Sequence, residues 1–299
     1  MRRWAPRTTL CQAADNLPVI EASLDERGPL KKRQFDTSQL MDRQTYTHVH
    51  PPLSDWHFCN ATEAQPYLPF DKPARQTVLG IQDKKHISLL PGTSAHLVDV
   101  MPKKRGLLIN VGGAVNGLAF APKRPSADTE PHTEYLAVGC YHGAEDETRE
   151  IAVTATYKNC IQLWRLRLSS EEPLENTLDV CILHEYGPVL GVDWCPYGAY
   201  EETSDDEKHL PKLGLLSAIF GDGSVRIMTI PHPKALRRRM EIQDPNETIY
   251  MRLDKAQLVI GPGALFPTTH AWGGAQRLAI GYDNGRHHTA RIKKEMHTQ

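Results

Sequence analysis

Two stretches of the 299-residue chain repeat one pattern: Gly113-Ala-Val-Asn-Gly-Leu-Ala-Phe-Ala-Pro122 and Gly187-Pro-Val-Leu-Gly-Val-Asp-Trp-Cys-Pro196. They lie 74 residues apart and share the order glycine, small residue, valine, any residue, glycine, aliphatic, any residue, aromatic, any residue, proline. Four of the ten positions are identical. Short apolar runs that are bounded by glycine and proline are typical of β-strands. The chain is therefore predicted to repeat a unit built from strands.

Two further elements follow these stretches in a fixed order. An octamer that begins with Leu and ends with Gly occurs at Leu136–Gly143, Leu216–Gly223 and Leu278–Gly285. Another apolar run then follows the first two octamers, at Ile161–Leu166 and Val225–Ile230. Each unit thus reads as strand, strand, turn, strand.

The last residues of two octamers predict how the strands are joined. Asp222-Gly223 and Asn284-Gly285 are dipeptides that accept positive φ at both central positions of a type I′ hairpin turn. We therefore expect two-residue turns of this type at both places.

The region from residue 86 onward is predicted to be all-β, because apolar runs are short and long helical periodicity is absent. Eight runs are expected to be strands: Leu107–Val111, Val115–Phe120, Tyr135–Cys140, Ile161–Leu166, Val180–Leu183, Val189–Trp194, Leu215–Phe220 and Val225–Ile230. Repeated units of three or four short strands are typical of a β-propeller. We predict a partial propeller with about three visible blades, whereas propellers typically need about 4–8.

The predicted domain boundaries follow the change in pattern. Residues 1–85 are expected to be an irregular, partly disordered N-terminal region, residues 86–292 the propeller blades and residues 293–299 a tail. Five apolar residues of the N-terminal region are expected to pack on a neighbouring domain: Trp56, Phe58, Tyr67, Leu68 and Phe70.

Incomplete blades have two expected consequences. Arg286–Ile292 lacks the apolar alternation of a strand, so the third unit is predicted to have no closing strand. The first and last blades should each leave one apolar face exposed, because three blades cannot close a ring. A truncated gene product accounts for this, and the alternative is that a partner chain supplies the missing blades.

The charge of the chain is unevenly distributed. The net charge of −1 is the sum of +4 over residues 1–105, −10 over 106–230 and +5 over 231–299. The acidic centre disfavours DNA wrapping around the repeat region, since lysine and arginine neutralise phosphates. Six cysteines without a Cys-x-x-Cys pair support neither a zinc ribbon nor a redox motif. Buried, reduced thiols are expected instead, which fits a cytosolic or nuclear compartment.

The sequence lacks the residue patterns of common catalytic motifs. A phosphate-binding loop, a Gly-x-Ser-x-Gly elbow and His-Glu-x-x-His are absent from it. His48, His50, His57 and Cys59 match no zinc-ligand spacing, so a loop is the favoured interpretation. No catalytic, metal-binding or cofactor-binding residues are predicted, and no cofactor is expected. No apolar run is long enough to predict a membrane span.

Charged runs are the candidate contact residues. Lys103-Lys104-Arg105 and Arg237-Arg238-Arg239 are candidates for nuclear import or phosphate contact, with a solvated loop as the alternative. The acidic insert Glu201–Glu207 is either a phosphorylated loop that binds a basic partner or a plain connecting loop. A larger set of residues is predicted to define the blades structurally: Phe120, Pro122, Trp164, Trp194, Pro196, Asp222, Gly223, Asn284 and Gly285. Of these, Trp164 and Trp194 are expected to pack between neighbouring blades, because aromatic side chains fill the space between sheets.

The repeat region resembles a known family. The segments 112–122, 136–139, 161–164, 192–196 and 222–233 are similar to the WD-repeat subunit of the RNA polymerase III factor TFIIIC, in a fungal form. The resemblance covers roughly residues 86–285, although the Trp-Asp dipeptide is replaced by Trp164-Arg165 and Met228-Thr229.

The resemblance implies a non-catalytic nuclear scaffold. In that family the propeller docks against a second WD-repeat subunit, in the part of the complex that binds the internal B-box promoter of transfer-RNA genes. Other TFIIIC subunits are therefore the expected partners, with indirect or auxiliary DNA contact, no membrane and no small-molecule substrate. Two alternatives stay open: a WD-repeat adaptor of another nuclear complex, such as a chromatin or ubiquitin-ligase complex, and a propeller enzyme.

Overall fold

The computed structural model describes residues 41–51, 53–80, 84–102, 106–141, 156–167, 176–203 and 209–292. The predictions made for residues 1–40 and for the tail at 293–299 lie outside these ranges. Of the helices in the described ranges, none has the length and apolar character needed to cross a membrane.

Short elements precede the blades. They are the strands β1 (Trp56–Cys59), β2 (Arg75–Leu79), β3 (Lys85–Leu89), β4 (Thr93–His96) and β5 (Leu107–Asn110), the helix α1 (Ala61–Ala64), and 3-10 turns at Leu53–Asp55, Gln65–Tyr67 and Leu97–Asp99. β2 pairs with β3 and β4 with β5 in antiparallel hairpins. A capping box begins α1, since Asn60 Oδ1 accepts from Glu63 N at 3.0 Å and the Glu63 carboxylate accepts from Asn60 N at 2.8 Å.

The first blade is an antiparallel meander of β6 (Ala114–Phe120), β7 (Thr133–Tyr141), β8 (Asn159–Arg167) and β9 (Thr177–His184). β6 is its inner strand, which lies next to the second blade. The predicted strands at 115–120, 135–140, 161–166 and 180–183 are confirmed, and each is longer than the apolar run that predicted it.

The second blade is formed by β10 (Val189–Trp194), β11 (Lys212–Phe220) and β12 (Val225–Pro231), and its fourth strand comes later in the chain. After β12 the chain forms helix α2 (Pro233–Arg239) and strand β13 (Ile249–Leu253) before β14 (Leu258–Ile260) completes the second sheet. β13 pairs in parallel with β9 of the first blade, and β1 pairs with the other edge of β13. The first sheet therefore has six strands, in the order β1-β13-β9-β8-β7-β6.

The third blade is the antiparallel sheet of β15 (Pro267–Trp272), β16 (Arg277–Tyr282) and β17 (His287–Arg291). The prediction that Arg286–Ile292 forms no strand is wrong. Only one face of β17 packs on the blade below, and Ala290 supplies the apolar contact there, followed by the buried Ile292. The all-β, partial propeller-like architecture with about three blades is confirmed.

The hairpin turns differ from the predicted type. Gly223 and Gly285 have φ of 82° and 79°, but Asp222 and Asn284 do not have positive φ, as a type I′ turn would require. Gly223 N donates to Phe220 O and Gly285 N to Tyr282 O, each at 3.1 Å. Each loop thus has one more residue than predicted: a turn is followed by a glycine in the left-handed region.

Three apolar cores hold the described part of the chain together. One lies between the first and second blades and a second between the second and third blades. The third lies on the outer face of the first blade, where Tyr67, Leu68 and Val111 cover Leu136 and Trp164. Trp56 is buried in the first core, while Phe58 and Phe70 are half-buried against the cores, so these aromatic residues pack on the blades as expected.

Candidate protein-interaction surface

One row of directly paired residues recurs on the same face of every blade. It takes one residue from each of the first three strands: Phe120–Leu136–Trp164, Trp194–Leu216–Met228 and Trp272–Leu278–Ala290. In the second and third blades this face packs on the preceding blade. The first residue of each row is aromatic, so the position provides a large apolar surface for contact between blades.

The aromatic residue of the second blade reaches the first blade. Trp194 is 3% exposed, and its Nε1 donates to the Ala119 carbonyl at 3.0 Å. The two inner strands approach so closely that a Cβ on Gly117 would lie 2.7 Å from Val192 N. Contact between these blades therefore depends on a large residue that meets small ones.

The aromatic residue of the third blade makes an equivalent contact. Trp272 Nε1 donates to Ser217 Oγ of the second blade at 2.9 Å, and His270 Nε2 lies 2.9 Å from the same oxygen. Trp272 was not among the predicted blade-defining residues. The available signal was its place just before the Leu278 octamer. The strand that it ends contains Thr268, Thr269 and His270, and the short loop before the octamer further obscured the match to Trp194.

Phe120 occupies the same position in the first blade and is 56% exposed. Val115 and Leu118 of the same strand are 46% and 60% exposed. We call Val115, Leu118 and Phe120 the β6 surface. In the part of the chain that the structure describes, no further blade lies against it.

On this face of the first blade, large apolar side chains are exposed only on the inner strand β6. Leu136 and Trp164, which complete the row of Phe120, are 9% and 0% exposed because the N-terminal elements cover them. The prediction that Trp164 packs between blades is therefore wrong. Its Nε1 donates to Gln162 Oε1 at 3.0 Å, and its ring packs against N-terminal residues instead of another blade.

The remaining blade-defining residues lie at the ends of strands. Pro122 and Pro196 are half-buried and follow β6 and β10. Asp222 Oδ1 accepts from Ser224 N at 2.9 Å, and Asn284 Oδ1 accepts from Arg286 N at 3.0 Å. The side chains before both glycines thus fold back on their own turn, which stabilises the loop.

The structure describes the second of the two predicted basic runs and not the first. Lys103, Lys104 and Arg105 lie outside the described residues. Arg237 pairs with the buried Asp179 of β9, with Nε 3.0 Å from Oδ1, so its charge is used within the fold. Arg238 and Arg239 are exposed at the end of α2. The pairing of Arg237 could not be read from the sequence, because Asp179 lies 58 residues away.

The described part of the acidic insert is also paired within the fold. Glu201 forms an ion pair with the fully buried Lys212, and Glu202 lies 3.3 Å from Lys234 Nζ and accepts from Thr129 N at 2.7 Å. Residues 204–208 lie outside the described ranges.

Three histidines and two thiols among the described residues are neutral near physiological pH because they are buried. Burial lowers the pKa of His184 to about 3 and those of His232 and His270 to about 4. Burial raises the pKa of the Cys140 and Cys195 thiols to about 12, so both stay protonated. Among the described residues, no three His, Cys, Asp or Glu side chains are grouped to hold a metal.

Fold and surface together define an all-β, propeller-like protein. Among the described residues, the inner strand of the first blade carries three exposed large apolar side chains. The comparisons with known proteins agree with the resemblance seen in the sequence, although no family model matches the chain. It is 27% identical to "Transcription factor tau subunit sfc6" of Schizosaccharomyces pombe over 130 residues, which are 44% of this chain and 19% of that protein.

Two further relatives carry related names. "General transcription factor 3C polypeptide 2" of Homo sapiens is 26% identical over 253 residues, which are 77% of this chain and 27% of that protein. "Transcription factor tau 91 kDa subunit" of Saccharomyces cerevisiae is 26% identical over 132 residues, which are 43% of this chain and 18% of that protein. These relatives are TFIIIC subunits, and the matches span between about a fifth and a quarter of their length.

Proposed function

We propose that this chain is a non-catalytic scaffold subunit of TFIIIC in the nucleus. It would support assembly of the complex on the internal promoters from which RNA polymerase III transcribes transfer-RNA genes. The observation that carries the proposal is the similarity to TFIIIC subunits of two yeasts and of human.

The fold supports a role in protein contacts. Burial shifts the pKa values of His184, His232, Cys140 and Cys195 so that these groups are neutral at physiological pH. The charges of Arg237, Glu201 and Lys212 are paired inside the fold. Direct DNA contact has little support, because residues 106–230, the centre of the repeat region, carry a net charge of −10. Other TFIIIC subunits, including a second WD-repeat subunit, are the proposed partners.

Affinity purification tests the assignment. The full chain is tagged at its own locus and recovered under stringent washing, and the bound proteins are identified by mass spectrometry. We expect TFIIIC subunits to co-purify in near-stoichiometric amounts. Their absence, or the recovery of chromatin or ubiquitin-ligase subunits in their place, would overturn the proposal.

The auxiliary role of DNA is tested separately. The purified chain should not shift a B-box DNA fragment at physiological salt, whereas the TFIIIC complex that contains it should. A double variant, Arg238→Ala with Arg239→Ala, serves as the matched control because both side chains are exposed at the end of α2. Tight binding by the chain alone that this variant abolishes would contradict an indirect role.

A further inference from the structure

The second and third blades have the same register around their hairpin loops. The first residue of β10 pairs with Phe220, and the first residue of β15 pairs with Tyr282. Phe220 N donates to Ser224 O and Tyr282 N donates to Arg286 O, each at 2.9 Å. Phe220 therefore corresponds to Tyr282 and Ser224 to Arg286, so the two loops can be compared residue by residue.

Tyr186, three residues before β10, fills the junction between the first and second blades. Its ring packs edge-on against the Phe220 ring, with the ring centres 5.3 Å apart, and the Arg226 guanidinium lies 3.5 Å from its centre. Asp222 Oδ2 accepts from Arg226 Nη2 at 2.8 Å, so this positive charge is paired. We call this place the filled junction, because an aromatic ring and a carboxylate occupy it.

The corresponding place between the second and third blades lacks both groups. Ala264, three residues before β15, stands where the filled junction has Tyr186, and Asn284 stands in place of Asp222. A groove of about 570 Å³ lies there, which is a size typical of ligand sites. Its lining includes apolar residues of the second blade and of the segment that follows it: Val225, Ile260, Leu265 and Pro267. We call this space the open groove.

The chain around β17 supplies a charged wall to the open groove. Alternate residues of a strand share a face, so Arg286, His288 and the buried Ala290 lie on the side towards the second blade. Arg286 and His288 are exposed and line the groove, and the Arg286 guanidinium pairs with no described residue. The described lining contains no Asp or Glu, and the neighbouring Asp283 Oδ1 accepts from Phe266 N at 3.3 Å. The positive charge of this wall is therefore uncompensated.

The opposite face of the third blade has small and polar side chains. His287 and Thr289 of β17 lie there, in line with the exposed Ala271 and Ala279. The prediction of an apolar face on the last blade is therefore wrong, and the side chains on this face offer little apolar surface to a partner.

We infer that the open groove binds an extended peptide segment of a partner protein, in which an aromatic residue lies close to Asp or Glu. The aromatic ring takes the place that Tyr186 has in the filled junction, next to Tyr282 and His288. The carboxylate pairs with Arg286. The partner thus supplies the two groups that the chain itself supplies at the filled junction. This inference does not rest on the proposed function.

A peptide fits the open groove better than a nucleic acid does. Nucleic acids are bound by many cations that follow the phosphates, whereas Arg286 and His288 are the basic side chains on this wall of the groove. The opposite wall belongs to a region, residues 106–230, with a net charge of −10. An acidic and aromatic peptide needs one cationic partner and gains from the apolar lining.

Peptide selection on the purified full chain tests the inference. A phage library of random decapeptides is depleted on the Ala264→Tyr variant, whose tyrosine fills the open groove, and is then enriched on the wild type. Ala264 is exposed, so this replacement should leave the fold intact. We expect the enriched peptides to combine Phe, Tyr or Trp with a nearby Asp or Glu. An absence of enrichment, or a basic consensus, would overturn the inference.

Fluorescence anisotropy with the most enriched decapeptide measures the contribution of each group. Arg286→Glu and Ala264→Tyr should each weaken binding by more than about tenfold, because the first reverses the charge and the second fills the space. Arg238→Glu is the matched control, since it makes the same change at an exposed arginine of α2 and should alter affinity by less than about twofold. Binding that Arg286→Glu leaves intact would contradict the inferred contact.

Asn284→Asp restores the carboxylate that the second blade has at Asp222. This carboxylate should compete with the peptide for the charged wall and weaken binding by about two- to fivefold. Circular dichroism and thermal unfolding establish that each variant folds, and Arg286→Gln replaces Arg286→Glu if that variant does not. A DNA duplex that displaces the labelled peptide more effectively than the unlabelled peptide does would assign the groove to nucleic acid and overturn the inference.

Discussion

Trp194 and Phe120 hold the same place in two blades and have opposite surroundings. Both end the inner strand of their sheet and both begin a row that continues through a leucine. Trp194 is 3% exposed because the first blade lies beneath it, whereas Phe120 is 56% exposed because no described blade lies beneath the first. The comparison shows that a repeat fixes the position of a side chain in its sheet, whereas the neighbouring sheet determines its burial.

Replacement of each aromatic residue by alanine should give the largest difference in stability between the two positions. We expect Trp194→Ala to lower the free energy of unfolding by about 3–5 kcal/mol, because it leaves a cavity between blades. Phe120→Ala should lower it by less than about 1 kcal/mol, since half of that ring already meets solvent. Urea denaturation measures both losses. Equal losses would contradict the contrast in burial.

Arg237 and Arg238 are neighbours in the sequence, but Arg237 is paired with Asp179 and Arg238 is exposed. Arg237→Ala should lower the free energy of unfolding by about 3–5 kcal/mol, because it leaves the fully buried Asp179 carboxylate unpaired. Arg238→Ala should change it by no more than about 0.5 kcal/mol. Chemical denaturation of both variants tests this. A double variant, Asp179→Leu with Arg237→Leu, should recover much of the loss, and failure to do so would argue against the ion pair as the cause.

The buried His232 should make the free energy of unfolding depend on pH under acidic conditions. His232 packs against Tyr135 and Tyr200, and burial lowers its pKa to about 4 in the folded state. The unfolded chain binds this proton first, near pH 6.5, so stability falls as pH drops from about 6.5 to about 4.

His232→Asn isolates this contribution. Asparagine can replace the imidazole that accepts from Lys234 N at 3.3 Å, and it does not titrate. Near pH 5, the unfolding free energy of this variant should fall less steeply with decreasing pH than that of the wild type. The two slopes should differ by about 1.4 kcal/mol per pH unit. Thermal and urea unfolding over this range measure the slope. Identical slopes for the two proteins would show that His232 is protonated in the fold.

The side chains of the two hairpin turns should show the smallest difference in their contribution to stability. Asp222 also accepts from Arg226 Nη2 at 2.8 Å, and the Arg226 guanidinium lies 3.5 Å from the centre of the Tyr186 ring. Asp222→Ala should therefore lower the free energy of unfolding by about 1–3 kcal/mol. Asn284→Ala, at an exposed turn, should lower it by only about 0.5–1 kcal/mol. Denaturant titrations that rank the two variants in the opposite order would contradict this interpretation.

The fold was largely predictable because its strands are short apolar runs between turn residues. The short apolar runs and the repeat of the Leu-to-Gly octamer identify the blades before any packing is known. β17 was missed because His287, Thr289 and Arg291 face outward, which leaves only Ala290 and the following Ile292 as apolar signals. The turn type was missed because the dipeptide alone does not reveal that the loop contains an additional residue.

The candidate surface was only half predictable. An open face on the first blade follows from the number of blades, but its reduction to Val115, Leu118 and Phe120 depends on the N-terminal residues that cover Leu136 and Trp164. The partners of Arg237 and Glu201 were likewise not apparent, because they come from other strands.

The sequence by itself determined the all-β class, the repeat and the aromatic position at the end of the first two inner strands, because these follow from short apolar runs and turn chemistry. Only the tertiary structure decided which of those aromatic residues is buried, that β13 crosses from the second blade to the first, and that the last open face is small and polar. Burial depends on which distant segment fills the adjacent space, and chain order does not encode that locally.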